Sequence, residues 1–119
     1  MKIGKMNEVP KGPPRMTTLF TGPVTIQSLI SESKAIGVIN VNFGKGVRTK
    51  FHTHDGDQIL IVSAGKGMVA TEKEKKVVTV GEFVLFPAGE KHWHGATEDS
   101  EFSHIAITRV GEKTTQLED

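Results

Sequence analysis

The chain has 119 residues, of which 36% are hydrophobic and 24% charged, with a formal net charge of +1. That length fits one domain with one core, and the near balance of charge provides no basic field for nucleic acid or for an anionic membrane surface. The chain contains no cysteine, so disulfide frameworks and thiolate metal sites are excluded, and any bound metal must be held by nitrogen and oxygen.

Residues 1–18 carry Pro10, Pro13 and Pro14 with little hydrophobic periodicity and read as an extended N-terminal arm. The first ten residues lack the apolar run of a secretory leader, and no segment approaches the ~18 apolar residues of a membrane span. A cytoplasmic location is therefore expected. From Gly22 onward, short β-branched runs alternate with glycines. Strands are expected at 24–30, 36–43, 48–54, 58–62, 67–71, 77–80, 82–86, 92–96 and 102–109. Many short strands with glycine turns and no substantial helix indicate an all-β sandwich or barrel, here spanning residues 19–110. Glu72-Lys-Glu-Lys-Lys76 reads as a solvated hairpin tip. Residues 111–119 form a polar tail that is expected to fray.

The chemistry concentrates in a few side chains. His52 and His54 lie two residues apart, and on a strand both would face one side, about 7 Å apart along the chain. Gln58 follows the turn Asp55-Gly56-Asp57, and His92 arrives from a separate strand just past Pro87-Ala-Gly89. His52, His54, Gln58 and His92 together read as a mononuclear metal site. Neutral imidazole is a good ligand for divalent Mn, Fe, Co, Ni, Cu or Zn. Three imidazoles and one amide oxygen would leave one or two positions open on a five- or six-coordinate ion. An amide at position 58 leaves the ion's charge uncompensated, which favours a stronger Lewis acid with a weaker hold on the metal. Asp55 and Asp57 read first as turn residues; the sharper alternative is that one of them orients His52 or His54.

His94 shares strand parity with His92, and His104 lies on the last strong strand with Phe102, Ala106 and Thr108 on its parity. Either histidine is a candidate general base or proton shuttle. The parity of Ile39, Val41 and Phe43, with that of Phe102, Ala106 and Thr108, would line a small substrate pocket. Trp93, Ile105 and Ile107 fall on the outer parity, where with the arm they would supply a homodimer contact. A small molecule is the expected partner.

Two spacing blocks carry a resemblance. The first is Gly46, five residues, His52-x-His54, three residues, Gln58, six residues, Gly65; the second is Gly81, five residues, Pro87-x-Gly89, two residues, His92. Together they resemble the two motifs of the cupin superfamily over about residues 46–96. The resemblance implies a jelly-roll (double-stranded β-helix) barrel with metal ligands at His52, His54, Gln58 and His92. Two positions depart from the family pattern: Gln58 stands where Glu is usual, and Ala96 where Asn is frequent. Gln58-Ile-Leu-Ile-Val, the run from Pro87 through His92-Trp-His94-Gly-Ala-Thr, and Ser103-His104-Ile-Ala are similar to a group of small bacterial cupins. Members of that group with a His, His, Gln, His set bind manganese, and some act as hydroxynitrile lyases. The resemblance thus implies a divalent metal, Mn before Fe, Ni, Zn or Cu, and a lyase-type enzyme. A non-haem metal dioxygenase and a non-catalytic small-ligand-binding cupin are the alternatives.

Overall fold

One strand organises the molecule. In the computed structural model, which describes residues 1–119, the two short runs expected at 58–62 and 67–71 are halves of a single 14-residue strand, Gln58–Thr71. In chain order the strands are β1 Val24–Ile30, β2 Ile36–Phe43, β3 His52–His54, β4 Gln58–Thr71, β5 Lys75–Thr79, β6 Phe83–Phe86, β7 His92–Ala96, β8 Phe102–Arg109 and β9 Thr114–Gln116. The first half of β4 pairs with β8 on one side and β6 on the other, and its second half pairs with β7 and β5. All of these pairings are antiparallel. The strand passes from one sheet to the other through a register shift between Val62 and Ala64, the bend that an irregularity in a ladder produces. Gly65 completes it with φ near +70°, and a Cβ at this position would lie 1.9 Å from the Glu101 carbonyl oxygen. Only glycine fits there.

The remaining pairings extend this hub into the order β1-β2-β8-β4-β7-β3-β9, a curled antiparallel sheet that forms the expected jelly-roll barrel. Alternation along each strand turns one parity inward. The inward side chains Val24, Val41, Phe43, Val47, Val62, Val78, Ala96 and Phe102 form the main core. A smaller cluster of Leu60, Phe86 and Ala106 adjoins it, with Ile39, Val69 and Val84 packed against both. No helix is long and apolar enough to cross a membrane.

Three segments differ from expectation. The run expected as a strand from Arg48 is regular only over His52–His54. Upstream, Thr49 and Arg48 make single bridges to Phe20 and Gly95. Gly95 permits that crossing, because a Cβ there would sit 2.3 Å from the Arg48 Cα. The polar tail does not fray: Thr114–Gln116 pair with β3 residue for residue. The Glu118 carboxylate accepts the Phe51 N–H and pairs with Arg48 at 3.3 Å, and these two partners, the amide first, hold its pKa below the usual value. The N-terminal arm contains two single 3-10 turns, Met6–Glu8 and Thr17–Leu19, and lies along β1. Gly12 bridges Ile26, and the Gln27 amide donates to the carbonyls of Met6 and Val9 at 2.8 and 2.9 Å.

Candidate metal centre

Strand pairing brings the candidate ligands together. His52 and His54 flank Thr53 on β3 and both point inward, with His52 only 1% exposed. The register partner of His52 across the ladder is His92, the first residue of β7. Gln58 opens β4 and is also buried. Ligand nitrogens of His52, His54 and His92 all lie within 4.8 Å of one another. Ligands on opposite sides of one ion, each at about 2.1 Å, are separated by roughly 4.2 Å, so the cluster has the span that a single ion requires.

The three rings are oriented by what holds their other nitrogens. His52 Nδ1 lies 2.7 Å from the Lys50 carbonyl, and His92 Nδ1 lies 2.8 Å from the Glu90 carbonyl. A carbonyl only accepts, so each Nδ1 carries the proton and each Nε2 is left with a lone pair. His54 Nδ1 lies 2.9 Å from the Glu112 carboxylate, which also accepts from Thr114 Oγ1. This carboxylate–imidazole contact fixes the same tautomer and raises the ligand's basicity. His54 Nε2 is buried with no hydrogen-bond partner. Gln58 Oε1 lies 3.2 Å from His92 Nε2. With the His92 proton on Nδ1, both are acceptors, and a cation between them removes the repulsion. An orphaned buried nitrogen, three parallel tautomer locks and an acceptor facing an acceptor together fit a divalent metal.

Burial keeps the His52 and His92 rings neutral. The pKa of His52 is lowered to about 4 and that of His92 to about 3, in both cases chiefly by desolvation, with neighbouring imidazoles adding to it. A proton would compete with the metal for each Nε2, and these shifts remove that competition at neutral pH.

All five histidines form one continuous cluster. The His94 ring lies 5.5 Å from that of His52 and 5.8 Å from that of His92. His104 stands behind it, with Nε2 2.9 Å from His94 Nδ1. His104 makes no ring contact with the three clustered histidines; it touches His94, Phe43 and Phe102. Burial lowers the pKa of both, to about 3 for His104. His94 Nε2 and His104 Nδ1 are buried without partners. Of the expected pocket side chains, Val41, Phe43 and Phe102 belong to the main core and Ala106 to the smaller cluster. Ile39 is half-buried against both clusters, and Thr108 is half-buried near the end of β8. A hollow of about 380 Å³ between β5 and β6 reaches Phe86 and Glu90. A second, of about 540 Å³, lies under the arm at Met6, Gln27 and Asn42, away from the histidines.

Neither Asp55 nor Asp57 touches an imidazole. Asp55 accepts from Arg109 and from the Lys113 N–H, and Asp57 accepts the Ala88 N–H, so both act as turn and loop residues. The group that orients His54 is Glu112, which the sequence reading placed in a fraying tail. Phe86 was also missed: its ring stacks on His92 at 3.9 Å with an interplanar angle of 18°. Its position six residues before His92, at the end of an apolar run, gave no signal beyond core packing.

A protein-family model described as the cupin domain matches residues 40–108. Over 91 residues the chain is 40% identical to an (R)-mandelonitrile lyase of Granulicella tundricola, covering 74% of this chain and 70% of that protein. A crystal structure of a cupin-like protein from Thermotoga maritima superposes with a TM-score of 0.83 at 32% identity, covering 92% of this chain and 87% of the other. The polyketide cyclase RemF of Streptomyces resistomycificus superposes with a TM-score of 0.85 over 100% of this chain and 88% of its own, at 16% identity, a likeness of fold alone.

Proposed function

This chain belongs to the cupin domain family, and from that premise we propose that it is a metal-dependent lyase acting on cyanohydrins, the substrate class to which (R)-mandelonitrile belongs. The carrying observation is the set of Nδ1 contacts that turn His52, His54 and His92 toward one point beside the Gln58 oxygen. The (R)-mandelonitrile lyase relative supports the reaction class.

When bound, the ion, with manganese first among Mn, Fe, Ni, Zn and Cu, supplies Lewis-acid polarisation of a substrate oxygen. Gln58 contributes a neutral donor, so the first set of ligands leaves that polarising charge undiminished. The proton is handled by His94. With its Nδ1–H donated to His104 Nε2 at 2.9 Å, the unpartnered His94 Nε2 presents a lone pair beside the cluster. His94 Nε2 takes the hydroxyl proton, and the carbon–cyanide bond breaks with its electron pair leaving on cyanide. The same proton then passes from Nε2 to cyanide, so the products are an aldehyde and hydrogen cyanide. His104 holds the tautomer and shares the charge while His94 is protonated. Phe43, in edge contact with the His94 ring at 5.9 Å, keeps the surroundings apolar and restricts water.

The test is turnover of mandelonitrile by manganese-loaded protein under strict anaerobiosis, with and without chelator. The expected outcome is aldehyde release that the chelator abolishes, and a fall of ~100-fold or more in His94→Ala. Consumption of dioxygen with substrate would point instead to a dioxygenase. Metal-loaded protein that turns over none of a panel of cyanohydrins would contradict the lyase reading and favour a binding protein.

A further inference from the structure

Two of the three clustered imidazoles, His52 and His54, are carried by β3, a strand of only three residues. Toward β7 it has a single register pair, His52 with His92. Toward β9, the outermost strand of the order, all three of its residues are paired. The pairing continues past both ends of β3. Phe51, just before His52, has both backbone groups held by the tail: the Glu118 carboxylate accepts its N–H, and its carbonyl accepts the Leu117 N–H at 2.8 Å. Asp55, just after His54, donates its N–H to the Lys113 carbonyl at 3.0 Å, and its carboxylate accepts the Lys113 N–H at 2.8 Å. The segment that carries both imidazoles is therefore bracketed at each end by residues 113–118. Glu118 also reaches beyond β3. Its two carboxylate oxygens face the two terminal nitrogens of the Arg48 guanidinium at 3.3 Å each, a fork-to-fork arrangement. The same guanidinium lies 4.8 Å from the ring of Trp93, the chain's single tryptophan, which stands between His92 and His94 on β7. One carboxylate and one guanidinium thus join the tail, β3 and β7 on the face opposite the imidazoles.

We propose that Glu118 and Arg48 are positioning residues of the metal centre: they dock the C-terminal strand against β3, and that docking and metal binding strengthen one another. An ion that needs His52 and His54 at a fixed spacing binds the docked arrangement of β3 in preference to the undocked one. Whatever binds one of two states stabilises that state by mass action, and the effect is reciprocal by linkage. Without the tail, a three-residue strand held by one register pair would have to be ordered by the ion itself, and the cost of ordering it would subtract from the binding free energy. Glu112 adds to the coupling by touching His54 directly. Glu118 bonds only to Phe51 and Arg48 through its carboxylate, so its effect isolates docking from the orientation of a ring. The inference rests on the metal centre and is independent of the reaction catalysed there.

The test has two arms, neither of which reads activity. In the first, manganese is titrated calorimetrically into the metal-free full chain. Glu118→Ala, and Leu117→Pro, which deletes the N–H given to Phe51, should each bind manganese at least ~5-fold more weakly, the lower end of ordinary coupling between sites. Glu118→Gln keeps an oxygen for the Phe51 N–H and should recover part of the loss. In the second arm, hydrogen exchange of the wild type is followed by mass spectrometry with and without manganese. Peptides covering 113–118 should exchange more slowly in the loaded protein. Peptides of the arm around Gly12, bridged to β1 at the other end of the strand order, should not change. A tail that merely closes the sheet edge would be equally protected in both states. Should a variant fail to fold by circular dichroism, the exchange arm decides alone. A wild type that binds manganese with an affinity indifferent to both substitutions, or tail exchange that ignores the metal, would overturn the coupling and leave the metal centre standing. A wild type that binds no manganese would overturn both.

Discussion

Glu112 Oε2 lies 2.9 Å from His54 Nδ1, a contact between residues 58 apart in sequence. It places the carboxylate that orients one imidazole of the candidate metal centre in the last ten residues of the chain. Glu112→Ala should lower divalent-metal affinity by about 10–100-fold, the range for loss of such a partner. Isothermal titration of the metal checks this, and an unchanged affinity would show that the tail only closes the barrel edge.

Gln58→Glu places a carboxylate beside the three-histidine cluster, against the proposed ion. Metal retention in a chelator competition should rise by about tenfold or more, equivalent to ~1.4 kcal/mol, while lyase turnover falls because the added charge offsets polarisation. If affinity and turnover both stay at wild-type values, Gln58 does not touch the metal.

Phe86 is buried and stacks on His92 at 3.9 Å. Phe86→Ala should destabilise the protein by about 3–5 kcal/mol, as aromatic truncations in cores do. Phe86→Leu keeps most of the apolar volume but not the flat surface, so metal affinity should drop more than stability does. Thermal unfolding and metal titration on the same sample separate the two effects.

The buried histidines set a pH dependence. His52 is held at about 4, His92 and His104 at about 3, and His94 well below its ordinary value, each chiefly by burial. An unfolded chain would titrate these groups near 6.5. The folded form therefore binds fewer protons than the unfolded form below that pH, and the sign follows: stability is complete above about pH 6.5 and is lost as pH falls toward the folded values. Each group contributes up to ~1.4 kcal/mol per pH unit in that window. Urea midpoints of metal-free protein should fall steeply between about pH 6.5 and pH 4. A flat profile across that range would mean that these rings are not buried and neutral.

The sequence made the strands and the inward-facing histidines legible because both are local patterns. The His52–Thr–His54 spacing, the run from Gln58 and the parity of β8 each translate directly into side chains on one face. What escaped depends on pairing between distant segments. The continuity of β4 through Gly65 hides behind a glycine that reads as a turn. The tail is composed like a fraying end, yet the open edge of β3 gives Thr114–Gln116 a ladder to join. Glu112 could not be assigned to His54 without that pairing. His94 and His104 were legible as two inward histidines, but their direct contact across 2.9 Å required the curl of the barrel, because β7 and β8 each pair with β4 and not with one another.

The central claim is that one divalent ion is gripped by His52, His54 and His92 with Gln58 beside them. Elemental analysis after reconstitution with manganese and exhaustive dialysis tests it directly, on the wild type and on His52→Ala, His54→Ala and His92→Ala. The account predicts one equivalent of metal per chain in the wild type and essentially none in each variant, with all four proteins folded. A wild type that retains no ion, or variants that keep a full equivalent, would contradict it.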